Sequence, residues 1–229
     1  MTVDIKHFGL YFESADVENA QSQREKQADL QVAWQWLLAS PDDVVKERKS
    51  KDKDAEPEQV IKPQLSAGGQ LISEALRYRF LDEQEAGQWV VQQVADNHLQ
   101  DSQTLFDTIT QTLSVAHAFE MVRPIFPDTD AWLNNFRQFT QGLLTIEDVD
   151  LIDQLWLLTL KMVSGIVLED QSRIEDSIIA YKEVVDTYIH PEGYFKPLSE
   201  RATDKVTAFR EMVLTCAALS LIAETATLA

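Results

Sequence analysis

Leu105-Phe106-Asp107-Thr108-Ile109-Thr110-Gln111-Thr112-Leu113-Ser114-Val115-Ala116-His117-Ala118-Phe119-Glu120-Met121 is the stretch that decides the fold class. Apolar residues return every three or four positions, at Leu105, Ile109, Leu113, Ala116 and Phe119, and Met121 extends the same patterned run. That is the period of an amphipathic α-helix. No glycine or proline interrupts it. Asp101 or Ser102 opens the helix, and Pro124 and Pro127 end it, because proline has no amide hydrogen to continue the ladder.

The same period extends in both directions. Upstream, a helix from about Leu65 to Leu81 carries Leu71, Ile72, Ala75, Leu76 and Phe80, and Asp82 caps the next, to about Leu99, with Trp89, Val90, Val91 and Val94. After an entry segment from His7 to Glu13, Ser14 caps the first helix, which turns strongly apolar from Leu30 to Leu38 and stops at Pro41. Downstream, helices are expected from Asp130 to Leu144, from Thr145 to Leu168, from Ser172 to Ile189 and from Glu200 to the end. A chain with only 7 glycines and 7 prolines in 229 residues has few breakers, which disfavours a many-stranded sandwich or barrel. The expectation is a single all-α domain over 1–229, built of antiparallel helical hairpins. No fixed-period repeat is visible, and a bundle, an open solenoid and a ring all remain open to such hairpins.

Charge narrows the partners. Acidic residues outnumber basic ones 38 to 20, a net charge of −18, which repels nucleic acid and anionic membranes. Lys46, Arg48, Lys49, Lys51 and Lys53 cluster between Asp42 and Pro63, but interleaved acids and the missing apolar period mark a solvated charged loop. Cys216 is the only cysteine, so no intrachain disulfide is expected. Residues Met1 to His7 lack the basic stretch and apolar run of a secretory signal, and the expectation that follows is a cytoplasmic protein. Met212 to Ala223, the most apolar stretch, is shorter than a bilayer requires and reads as a buried core helix, not a membrane span.

Chemistry-bearing residues are few. The histidines, His7, His98, His117 and His190, form no metal-type spacing, the acidic pairs lack the pattern of a calcium loop, and Gly68-Gly69 is followed by no phosphate-binding lysine. No metal and no cofactor is expected. His117 lies between Ala116 and Ala118 on an apolar helix face, as either a core histidine or a site histidine with room around its ring. Asn134-Asn135 belongs either to a polar cleft or to an exposed helix flank. The most specific loop is Tyr188-Ile189-His190-Pro191-Glu192-Gly193-Tyr194-Phe195-Lys196-Pro197, followed by Glu200-Arg201. Aromatics beside cationic groups suit a sugar or carboxylate ligand, and a tight inter-helix turn accounts for the same residues equally well.

At this loop the sequence resembles a known family. Gly193-Tyr194-Phe195, Glu200-Arg201 and the helix from Phe209 to Glu224, with Ala223-Glu224-Thr225-Ala226 at its end, resemble the closing segment of the alginate lyase and heparinase-type polysaccharide lyases. His7-Phe8-Gly9-Leu10-Tyr11-Phe12, Ala75 to Phe80 and Ala116 to Val122 are similar to their entry segment and inner helices. The resemblance implies an incomplete α/α toroid and β-elimination on, or binding of, uronate-containing saccharides. His117, His190, Tyr194 and Arg201 are then the candidate catalytic residues, and Asn134, Asn135 and Lys196 the candidate substrate-binding residues. Of the family's motif only the arginine carries over, to Arg201. The Asn-Asn-His motif falls on Leu151-Ile152-Asp153, and the tyrosine near Ala208-Phe209. The alternative is a non-catalytic helical module that binds a protein or a ligand.

Overall fold

The computed structural model describes residues 9–23, 26, 67–96, 104–197 and 205–228. The apolar stretch from Leu30 to Leu38, the charged loop at 42–63, His7, His98 and Arg201 lie outside the described residues. Eight α-helices form among the described residues: α1 (Ser14–Gln23), α2 (Ala67–Leu81), α3 (Gln84–Asp96), α4 (Leu105–Val122), α5 (Thr129–Leu144), α6 (Leu151–Val167), α7 (Gln171–Tyr188) and α8 (Lys205–Leu228). No strand forms among them. The all-α expectation holds.

Caps set where the helices begin. Thr104 accepts from the Asp107 amide at 3.1 Å to start α4, three residues past Asp101 and two past Ser102, the expected openers. Asp128, Asp150 and Asp170 do the same for α5, α6 and α7, accepting from the amides of Ala131, Asp153 and Arg173 at 3.2, 2.9 and 3.1 Å. Thr145 was expected to open α6 but instead follows the end of α5, where its hydroxyl donates to the Gly142 carbonyl at 2.8 Å. Asp82, expected to cap α3, stands at φ +57 just beyond α2, the left-handed geometry that Asp tolerates better than most residues.

Packing follows the alternation of the helices. α2 packs on α4, α4 on α6 and α6 on α8, so every second helix belongs to one row. α3 lies against α2 and α4, α5 against α6, and α7 against α6 and α8. The middle of the row is the core: every residue from Val115 to Val122 of α4 and from Met162 to Val167 of α6 is buried. A helix apolar on all sides demands neighbours on all sides. The α4–α5 corner is filled by rings, Phe119 stacked on Trp132 at 3.8 Å and Trp132 on Phe136 at 4.9 Å. The ends of α4 and α6 are tied by charge. Glu120, almost wholly buried, pairs with Arg123 at 2.8 Å, and Arg123 reaches Glu169 at 3.0 Å and the Val167 carbonyl at 3.2 Å.

The last helix departs from expectation. Met212 to Ala223 is not a fully buried core segment: Thr215, Ala218 and Ile222 form its buried stripe, while Met212 is 46 % exposed and Val213 47 % exposed, and upstream Val206 and Phe209 are more exposed still. Among the described residues, one face meets α6 and α7, and the other carries apolar residues outward. The span Val206–Thr227 is also long and apolar enough to cross a bilayer by length and composition. Its buried stripe nevertheless packs on the helical body, where the Thr159 hydroxyl of α6 donates to the Ala218 carbonyl at 3.4 Å.

Candidate functional site

His117 sits in the middle of α4 with 8 % of its surface exposed. The entry segment covers it: the Tyr11 ring meets the imidazole edge-on at 4.5 Å, and Phe12 lies beyond at 6.3 Å. Its Nε2 has no hydrogen-bond partner among the described residues, and burial lowers its pKa from 6.5 to about 4, so the ring is neutral at pH 7. The same burial raises the Tyr11 phenol to about 12. A neutral imidazole has the right protonation state for a general base, but it is walled in by aromatic rings.

The loop after α7 is a closed turn. Ile189 and Phe195 form an antiparallel bridge, the His190 amide donates to the Tyr194 carbonyl at 2.8 Å, and the Gly193 amide donates to the His190 carbonyl at 2.7 Å. Gly193 has φ +87, a conformation that a side chain would strain. His190 and Tyr194 stack at 4.4 Å, and Tyr194 is 43 % exposed. The His190 Nδ1 accepts from the Glu192 amide at 3.2 Å, and the Lys196 ammonium donates to the Thr187 carbonyl at 3.0 Å. The Lys196 ammonium and the Nδ1 of His190 thus help to hold the turn. Asn134 and Asn135 lie on the exposed side of α5, where Asn134 Oδ1 accepts from Arg137 at 3.0 Å. His190, Tyr194 and Lys196 therefore share one turn. His117 belongs to a different layer, with Tyr11 and Phe12 as its ring partners.

A different place has the shape of a site. Between the start of α2, the outer face of α3 and the first half of α4 lies an open cleft of about 390 Å³, lined by Gln70, Leu71, Trp89, Gln93, Asp96 and Gln111, with Gly68 at its edge. That volume falls within the range of small-ligand pockets, roughly 300–1,000 Å³. Gly68 lets α2 approach α4 closely, since a Cβ there would stand 2.8 Å from Ser114 Oγ. Trp89, Gln93 and Asp96 recur at i, i+4 and i+7, one stripe of α3, while Val90 and Val94 face the core. Trp89 is 36 % exposed. Asp96 Oδ2 accepts from Gln92 at 2.6 Å, which leaves further acceptor capacity on the carboxylate.

The sequence reading placed Trp89 with the core valines. The available signal was its phase: Trp89 is one residue out of register with the Val90–Val94 stripe and in register with two polar residues. Among the described residues no group of His, Cys, Asp and Glu side chains is arranged to hold a metal ion. No family model, curated protein or solved structure matches the chain.

Proposed function

We propose that this chain is a non-catalytic helical ligand-binding module, with the Trp89 cleft as its binding site and an incomplete α/α toroid as its scaffold. The observation that carries the proposal is the cleft itself: a large aromatic held open to solvent among amides and one carboxylate, on three helices. The row α2–α4–α6–α8, with the intervening helices packed alongside, supports the toroid, since that fold alternates inner and outer helices in this way. The burial of His117 and the structural engagement of His190 and Lys196 favour binding over turnover. A thermal-shift screen of peptides, saccharides and small organic ions tests it, because a ligand that binds only the folded state raises the melting temperature. A ligand that stabilises the wild type but not Trp89→Leu is the expected result. A panel without a hit, or a hit indifferent to Trp89, contradicts it.

The second reading keeps the lyase. It is supported by the resemblance around Gly193-Tyr194-Phe195 and Glu200-Arg201 and by the same helical row. β-Elimination on a uronate would leave an unsaturated product, read by its ultraviolet absorbance. A signal abolished by Arg201→Ala would favour this reading. Silence across a uronate panel from folded protein would remove it. The cytoplasm is the proposed location under both readings.

A further inference from the structure

We infer that the Trp89 cleft takes a guanidinium cation on an apolar stem, the chemistry of an arginine side chain. The inference rests on the proposal that the cleft is a ligand site, and it names the class of ligand.

The lining selects by charge. Among the described residues around the cleft, Asp96 is the one charged side chain and none is basic. An anion would face that carboxylate with no cation among those lining residues to offset it, inside the field of a chain of net charge −18. A cation gains from both. The exposed indole of Trp89 adds a negative π-face, and tryptophan is the strongest of the aromatic cation acceptors.

The lining also selects by shape. The amides of Gln70 and Gln93 come from two different helices, and each can turn an acceptor oxygen to the cleft beside the Asp96 carboxylate. A planar guanidinium presents its N–H donors as a fork that reaches several such acceptors at once and stacks flat on an indole. An ammonium does neither as well. Leu71 and Val115 supply the apolar wall for a methylene stem.

The probes are butylguanidinium, a short neutral peptide with one central arginine, and the same peptide with citrulline in its place, each titrated into the full chain by calorimetry. Citrulline keeps the shape and loses the charge. Both arginine-type probes are expected to bind, and the citrulline peptide about tenfold or more weaker. Asp96→Asn and Trp89→Leu should each weaken binding about tenfold with helical circular dichroism unchanged. Raising salt from about 50 to about 300 mM should weaken it severalfold. Peptide binding much tighter than butylguanidinium points to a basic peptide as the source, and equal binding points to a free small cation; both support the inference. Citrulline binding as tightly as arginine, or binding indifferent to both substitutions, overturns it. If a neutral oligosaccharide binds and no cation does, the module stands and the cation falls. If folded wild-type protein binds no probe of any class, both fall.

Discussion

His117 and Arg123, six residues apart on and just beyond α4, show how one segment disposes of two polar groups in opposite ways. Arg123 is placed where its charge is answered, by Glu120 at 2.8 Å and Glu169 at 3.0 Å. Removing it takes from the Glu120 carboxylate, whose side chain is 2 % exposed, the guanidinium 2.8 Å away. Arg123→Ala should therefore cost about 3 kcal/mol of unfolding free energy in urea, and a loss under about 1 kcal/mol would show that the pair is not holding the two helix ends together. His117 is met, among the described residues, by the rings of Tyr11 and Phe12. Its pKa is about 4 when folded against 6.5 ordinarily, so between these values the unfolded chain takes up a proton that the folded chain refuses. Stability is whole above the higher value and falls as pH drops toward the lower one. From about pH 7 to about pH 4.5 that linkage removes about 2–3 kcal/mol, and His117→Phe should be spared this part of the acid loss. Parallel pH profiles for the two proteins would mean the imidazole is reached by water.

The elements were readable where caps and prolines mark their ends. α4 and α5 carry their apolar residues in phase and end at Pro124 or begin at an aspartate, and their positions follow from local rules within a few residues. The Thr145 start was misplaced because threonine caps either end of a helix, and only the tertiary path of α5 decides which. α8 defeats pattern reading for another reason: it is apolar on both faces, so no period separates the buried stripe from the exposed one. The two faces should differ sharply under substitution. Ile222→Ala empties a fully buried position and should cost about 2–5 kcal/mol. Phe209→Ser, at a position 63 % exposed, should change stability by under about 0.5 kcal/mol. Chemical denaturation of both variants checks the assignment, and a Phe209→Ser loss as large as that of Ile222→Ala would mean that this face is covered.

At the scale of the molecule, sequence patterning reached the all-α class but not the row of alternate helices. That row is fixed by contacts far apart in sequence, such as Thr159 with Ala218 and Arg123 with Val167. The candidate site was less legible still. His117 and the 190–197 loop drew attention because histidine, tyrosine and lysine carry chemistry, yet the structure uses them in a core contact and a turn. Trp89, Gln70 and Gln111 look ordinary one by one and gain meaning only when α2, α3 and α4 meet around them. The most direct test of the binding-module account is the indole N–H region of a nitrogen-15 spectrum during ligand titration. The chain has 5 tryptophans, and Trp89→Phe identifies the signal of interest by its loss. The account predicts that, with a panel spanning arginine peptides, neutral saccharides and uronates, at least one ligand moves the Trp89 signal while those of buried Trp132 and Trp156 stay in place. A panel that leaves the Trp89 signal unmoved throughout would contradict it.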